Sequence, residues 1–161
     1  MKKRGQNGFT LIEVLVAVVV LGIGLTGMAG LQIVSMRSAH QADQRTQATL
    51  LAYDILDRMR ANVGAAQAGE YDTGMTDDVS ALALCFGTAA DCSPAELADH
   101  DRRQWRQTLN GHLSDGLGSI ATATVAGQTQ ATIIVQWVDA DAGVDGNGVV
   151  VPQQLSIAVN L

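Results

Sequence analysis

A single long apolar run dominates the first part of the chain. From Phe9 to Leu31 the polar side chains are Thr10, Glu13 and Thr26. Crossing a hydrocarbon core of about 30 Å takes roughly 20 apolar residues in helical form, so the run predicts a membrane-spanning helix. A secretory signal has a shorter apolar core of about 7 to 15 residues before its cleavage site, which makes that interpretation the weaker one.

The helical period continues beyond the apolar run. Apolar side chains recur there at intervals of three or four, at Leu50, Tyr53, Leu56 (or Asp57) and Met59. This spacing predicts an amphipathic extension of the same helix, and Gly64 is a suitable residue to end it. We therefore predict one helix over residues 9–63, roughly 80 Å long at 1.5 Å per residue. Its first half would face lipid, and its second half would anchor a head.

A shorter helix is predicted to begin at Ser93. Serine is a good N-cap, Pro94 fits the first helical position, and Glu96 stands three residues after the cap. An apolar stripe that can lie on a sheet then follows at Leu97, Trp105, Leu109 and Leu113. Of these, Trp105 is the expected core anchor. We expect the segment to end at Gly116 and Gly118.

The C-terminal part changes to a period of two, which is typical of strands. Gly127-Gln128 is a turn candidate between the first two runs. The alternating positions are Ile120 to Val125, then Ala131, Ile133, Val135 and Trp137, then Leu155, Ile157, Val159 and Leu161. We predict an antiparallel sheet of at least three strands. Residues 64–78 are predicted to form a loop, and the apolar piece from Ala81 to Phe86 fits helix or strand equally.

The charged residues predict the orientation of the membrane helix and one candidate site within it. Lys2, Lys3 and Arg4 precede the apolar run, and positive charge marks the cytoplasmic side of a membrane helix. Glu13 lies just inside the run, where a carboxylate costs a few kcal/mol on insertion scales and usually has a functional partner. The alternative is an idle carboxylate at the level of the lipid headgroups.

The stretch Gly8-Phe9-Thr10-Leu11-Ile12-Glu13 resembles the prepilin signal of type IV pilins and type II secretion pseudopilins. The resemblance implies cleavage by the prepilin peptidase between Gly8 and Phe9, followed by N-methylation of Phe9. It also implies that Glu13 serves assembly by pairing with the Phe9 ammonium of a neighbouring subunit. No cofactor is expected.

Two further stretches, Leu21 to Gln32 and Gln47 to Asn62, resemble the type IV pilus modification protein family, the PilV minor pilins. The resemblance implies an α+β, pilin-like fold, in which the long N-terminal helix packs on a C-terminal antiparallel sheet with one additional short helix. It implies a leader at residues 1–8, a helix at 9–63 and a periplasmic head at 64–161. The protein would sit in the inner membrane with a single pass and then enter the pilus. Its partners would be other minor pilins, the major pilin and the pilus assembly machinery.

Composition limits the other functions. The chain has ten basic and sixteen acidic residues, and loss of the leader would remove three of the basic ones and every lysine, leaving a net charge of −9. Nucleic-acid binding needs a clustered basic face, so we expect no nucleic-acid partner. The histidines His40, His100 and His112 fall in no nucleophile motif, and Asp99-His100-Asp101 is predicted to be a solvated helical face. We therefore predict that the protein is not an enzyme.

Two candidate sites remain in the head. Cys85 and Cys92 are the only cysteines, and in an oxidising compartment such a pair predicts a disulfide. Asp139, Asp141 and Asp145 alternate with small residues and are weak calcium candidates. Their spacing does not fit an EF-hand, because Gly143 and Pro152 occupy ligand positions, so a solvated hairpin loop is favoured.

The sequence leaves three functional hypotheses open. The first is a minor pilin that acts in pilus assembly or modification, and the second is a type II secretion pseudopilin with the same signal. The third is a membrane-anchored enzyme or binding protein that uses the helix only as an anchor. The stretch from Leu51 to Asn62 and the cysteine pair favour the first.

Overall fold

A computed structural model describes residues 9–77, 85, 92–139 and 142–161. The leader and the apolar piece around Leu84 thus lie outside the described residues, apart from Cys85. The chain forms two compact units, one ending at Gln41 and one comprising Ala42–Leu161. Helix α1 (Leu11–Ala61) contributes to both.

The first unit is the N-terminal part of α1. An 18-residue window has a mean hydropathy of 2.4 and none of it is buried, so this helix is long and apolar enough to cross a membrane. Thr26 donates its hydroxyl hydrogen within the helix, where the carbonyls of Gly22 and Ile23 lie 3.0 and 2.9 Å away. The Thr26 hydroxyl therefore needs no partner from the surroundings.

The second unit begins with the rest of α1, followed by the short helix α2 (Val63–Gln67). The prediction that Gly64 ends the long helix is wrong, because α1 ends at Ala61 and Gly64 lies inside α2. The break falls at Asn62, whose backbone leaves the helical region and whose side-chain amide donates to the carbonyl of Pro94 at 2.7 Å. For the same reason the predicted loop over 64–78 begins as helix.

Helix α3 (Pro94–His112) starts as predicted. The Ser93 side chain accepts from the backbone N–H of Glu96, and the Glu96 carboxylate accepts from the backbone N–H of Ser93 at 2.8 Å. This reciprocal capping box satisfies two helix-end donors. The helix ends at His112, before the glycines expected to stop it.

Three strands form one antiparallel sheet: β1 (Leu117–Val125), β2 (Gln128–Trp137) and β3 (Gln153–Asn160), in the order β1-β2-β3. In the register, Ile120 of β1 stands opposite Ile133 of β2, which stands opposite Ile157 of β3. The turn between β1 and β2 has positive φ at Ala126 and Gly127, the conformation of a tight hairpin. The α+β fold with a long helix, a short helix and an antiparallel sheet is thus confirmed.

The prediction that Gly118 ends the α3 segment is wrong, because Gly118 lies in β1. A Cβ on it would collide with the Trp105 ring and with Leu109. Trp105 is completely buried, so its predicted role as a core anchor is confirmed, and glycine at 118 leaves the room for its ring.

The core lies between α1, α3 and the sheet. Its α1 side chains include Ile55, Leu56 and Met59. Two positions predicted on the same apolar face do not belong to it, because Leu50 is 59% exposed and Tyr53 is 49% exposed. The buried positions of α1 are Gln44, Ala48, Ala52, Ile55, Leu56 and Met59. The predicted Leu56 and Met59 thus belong to the buried face, but Ala48 and Ala52 take the places expected for Leu50 and Tyr53. A search for large apolar side chains does not detect alanines.

Candidate assembly site and polar contacts of the head

The candidate N-terminal site consists of Phe9, which lies just before α1, and Glu13 in the first turn of the helix. Phe9 is 83% exposed, and Glu13 is also exposed. Backbone hydrogen bonds from Glu13 and Val14 to the carbonyl of Thr10 begin the helix. Glu13 therefore projects from regular helix, with Ala17 one turn further along the same stripe. Gly8, the other predicted cleavage residue, lies outside the described residues.

The surroundings of Glu13 are apolar and exposed. Leu11, Ile12 and Leu21 are 88, 69 and 64% exposed. A run of exposed apolar side chains is tolerated only against lipid or against other proteins, because contact with water costs about 25 cal/mol for each Å². A carboxylate in such a setting is costly unless it is paired or lies at the level of the lipid headgroups.

The head contains a buried polar cluster around Asp101. Its carboxylate accepts from the Tyr71 hydroxyl at 2.7 Å and from the Arg58 guanidinium at 3.2 Å. Burial raises the pKa of Tyr71 above its usual range, and the hydrogen bond to Asp101 raises it further. The cluster ties α1, the segment after α2, and α3 together. Gln104 also accepts from Arg58, at 2.5 Å.

This cluster corrects the prediction that Asp99-His100-Asp101 is a solvated face. His100 and Asp101 are each only 6% exposed. Asp101 lies in the helical stripe between Ala98 and Trp105, which faces the core, and so helix periodicity buries it. Only Asp99 behaves as a surface acid, accepting from Arg102 and Arg103 of α3.

A second contact set fixes the segment that follows α2. Arg106 of α3 donates to the carbonyls of Gly74 at 2.7 Å and Met75 at 2.5 Å. Burial lowers the pKa of Arg106. Asp77 accepts from the backbone N–H of Gly74 at 2.6 Å and from the Thr73 hydroxyl, which lowers the pKa of Asp77. The side chains of Arg106 and Asp77 thus fix this segment mainly through its backbone groups. The residue types of the segment did not predict these contacts.

The cysteine pair is joined. Cys85 and Cys92 form a disulfide with a Cα–Cα distance of 5.6 Å, so the predicted pairing is confirmed. The bond lies just before the N-terminus of α3. It stabilises chiefly by restricting the unfolded chain, and it offers no dithiol chemistry.

Two of the three aspartates considered for calcium have protein partners. Asp145 Oδ1 accepts from the backbone N–H groups of Asn147 and Val149, both at 2.8 Å, and these bonds lower the pKa of Asp145. Asp139 accepts from the Trp137 indole at 3.1 Å. Asp141 lies outside the described residues. Within the part of the chain that is described, no three His, Cys, Asp or Glu side chains are grouped to hold a metal ion.

His40 and His112 lie in other parts of the chain than the polar cluster around Asp101. His40 is in α1 within the first unit, and His112 is in the last turn of α3 with Nδ1 2.9 Å from the carbonyl of Thr108.

Comparison with protein families gives two adjoining matches. Residues 3–29 match the prokaryotic N-terminal methylation motif, and residues 30–103 match the family described as type IV pilin Tt1218. The first match contains Phe9 and Glu13, and the second runs from the middle of α1 into α3. Comparison with curated proteins and with solved structures returned no significant match.

Proposed function

We propose that this chain, which belongs to the type IV pilin family, is a minor pilin that acts in the assembly or modification of a type IV pilus. The family is one of structural proteins that associate with other pilins and with the pilus machinery. The resemblance of Leu21 to Gln32 and Gln47 to Asn62 to the PilV minor pilins supports the narrower assignment.

The observation that carries the proposal is the exposed Phe9–Glu13 pair at the start of an exposed apolar helix. We infer that prepilin peptidase removes residues 1–8 by cutting between Gly8 and Phe9, and that Phe9 is then N-methylated. The match to the methylation motif spans these positions. Glu13 would then face the new ammonium group of a neighbouring subunit, and the two opposite charges would neutralise each other when the subunit docks.

The same features support a topology. The motif and the apolar helix point to membrane anchoring. We propose a single pass through the inner membrane with the head, from about residue 64 to Leu161, in the periplasm. The disulfide between Cys85 and Cys92 supports this compartment, since disulfides persist outside the reducing cytoplasm.

The type II secretion pseudopilin remains the alternative, because it shares the signal and the helix. Deleting the gene distinguishes the two: a minor pilin predicts fewer surface pili with normal secretion. Normal pilus numbers with failing secretion would select the pseudopilin. Crosslinking in the native cells, followed by identification of the captured subunits, would name the neighbours among the minor and major pilins.

Replacing Glu13 tests the site directly. We expect Glu13→Ala to insert in the membrane as the wild type does but to be at least tenfold depleted from sheared pili. The reason is that an unpaired ammonium in an apolar filament core costs several kcal/mol, and 1.4 kcal/mol is tenfold. Val16→Ala is the matched control, since it trims an exposed side chain on the same helix and should enter pili normally. Normal incorporation of Glu13→Ala would contradict the assigned role.

A further inference from the structure

Within the part of the chain that the structure describes, the backbone groups along the outer edge of β3 have no partner. The N–H of Leu161 donates to the carbonyl of Thr129, and with the β2–β3 register this fixes the direction of every backbone group along the strand. The odd-numbered residues bond to β2. The N–H and C=O groups of the even-numbered residues therefore point away from the sheet: Gln154, Ser156, Ala158 and Asn160. Among the described residues, none pairs with this edge.

The opposite edge of the same sheet is partly covered. On β1, Ile120 exchanges two backbone hydrogen bonds with Thr73, at 2.9 and 3.0 Å. The next outward N–H, that of Thr122, donates to the Asp72 carboxylate at 2.8 Å. The chain thus covers the β1 edge at Ile120 and Thr122 with its own residues, whereas no described residue pairs with the outer edge of β3 in the same sheet.

The β3 edge also lacks the features that normally prevent pairing. Proteins protect exposed edges with charged side chains, prolines or bulges. Gln153–Asn160 contains no charge and no proline, and its register to β2 is regular over the whole strand. None of the sixteen acidic residues of the chain lies in β3.

The core-facing side of β3 is incompletely covered as well. Ile133 and Val135 of β2 are 0 to 1% exposed, whereas Leu155 and Ile157 of β3 are only partly buried while packing on the same core. A strand added beside β3 would cover this apolar row and satisfy the outward backbone groups together.

We propose that β3 is a docking edge that accepts an extended, uncharged segment from a different subunit of the filament. The occupant would carry apolar side chains at alternate positions, because those would stand beside Leu155 and Ile157. The proposal rests on the proposed function, since it assigns the partner to the same assembly.

A second copy of this chain fits less well. Pairing two β3 edges symmetrically in one antiparallel sheet requires a two-fold axis normal to the sheet. That axis would reverse the direction of α1, whose residues from Ala48 to Met59 share the core with the sheet. A symmetric pair of heads would therefore run its two α1 segments from Ala48 to Met59 in opposite directions, which we do not expect of subunits that are inserted in the same orientation.

Hydrogen exchange of the full chain tests the edge. The C-terminal peptide from Pro152 onward is followed by mass spectrometry in detergent micelles and in sheared pili. In micelles we expect the four outward amides to exchange fast and the inward ones slowly. In pili the same peptide should gain up to four slowly exchanging amides, whereas an exposed helical peptide of α3 from Asn110 to His112 should change little.

Two proline variants separate docking from folding. Ser156→Pro removes an outward N–H and should leave the melting temperature within a few degrees of the wild type, because an edge strand tolerates proline at such a position. Ile157→Pro removes an N–H that bonds to β2 and should unfold β3. We expect Ser156→Pro to be several-fold depleted from pili and Ser156→Ala to be incorporated normally.

The outcomes are distinguishable from a failure of the proposed function. Absence of wild-type protein from pili would overturn the proposed function itself. Wild-type protein in pili with four fast outward amides, or with normal incorporation of Ser156→Pro, would overturn the docking edge alone. Slow outward amides already in micelles would mean that the chain covers β3 itself or forms a dimer, and would also overturn it.

Discussion

At the scale of single residues, the head is organised by polar side chains that bond across elements. The Asp101 carboxylate accepts hydrogen bonds from the Tyr71 hydroxyl and from the Arg58 guanidinium. Both oxygens of this buried carboxylate therefore have a donor. Such a cluster specifies one arrangement, because each member left alone would carry the cost of an unpaired buried polar group.

Removing one donor from this cluster should be costly. We expect Tyr71→Phe to lower the free energy of unfolding by about 1 to 3 kcal/mol, because the Asp101 carboxylate then keeps a buried oxygen without its donor. Denaturant unfolding of the full chain in detergent, followed by near-UV circular dichroism, measures this. Tyr53→Phe is the matched control, since Tyr53 is 49% exposed, and it should change stability by no more than about 0.5 kcal/mol. Equal effects would contradict the assigned role.

Glycine at 118 is required by the tryptophan packed against it. We expect Gly118→Ala to destabilise the head by about 1 to 3 kcal/mol, because a methyl group there overlaps the Trp105 ring in a fully packed core. Gly111→Ala provides an internal control of opposite sign. Position 111 lies in α3 with open space around it, so alanine should stabilise by up to about 1 kcal/mol. Thermal unfolding of the two variants beside the wild type tests the pair, and a neutral Gly118→Ala would contradict the packing argument.

At the scale of elements, sequence patterns predicted most of the architecture. The capping box at Ser93, the period of two after residue 119 and the long apolar run each act locally, so local reasoning recovered α3, the three strands and α1. The assembly role predicted for Phe9 and Glu13 stays a prediction; the structure shows only that both side chains are exposed.

What the sequence did not predict depends on contacts between distant segments. The break at Asn62 arises from its bond to Pro94, 32 residues away. The burial of Asp101 follows from the packing of α3 against α1. The first part of the core face of α1 consists of Ala48 and Ala52, whereas Leu50 and Tyr53 are exposed. Residue type is a poor guide wherever the partner is remote in sequence.

At the scale of the whole molecule, the two units have different solvents. The N-terminal unit exposes apolar side chains and one carboxylate, which suits lipid and then other helices. The second unit buries its own core and leaves one sheet edge open within the described chain. Assembly would therefore draw on two chemistries, burial of apolar helix surface and pairing of backbone groups in the head.

Acid should destabilise the head through carboxylates spread over its surface. Hydrogen bonds from backbone N–H groups lower the pKa of Asp77, Glu96 and Asp145 in the folded state. A carboxyl group with a lowered folded pKa contributes stability above its unfolded value, and that contribution is lost as the pH falls through the folded value. The loss should therefore begin near the ordinary values of 3.8 and 4.5 and continue below them.

The double variant Glu96→Gln with Asp145→Asn tests this linkage, because both amides keep an acceptor oxygen but cannot titrate. Its denaturation midpoint should fall less than that of the wild type between neutral pH and about pH 3. Asp43→Asn with Asp57→Asn replaces two exposed acids of α1, and it should retain the acid sensitivity of the wild type. If the first double variant lost as much stability in acid as the wild type, the hydrogen-bonded carboxylates would not be the source of the pH dependence. In that case the pH dependence would have to come from the change in the net charge of the whole chain.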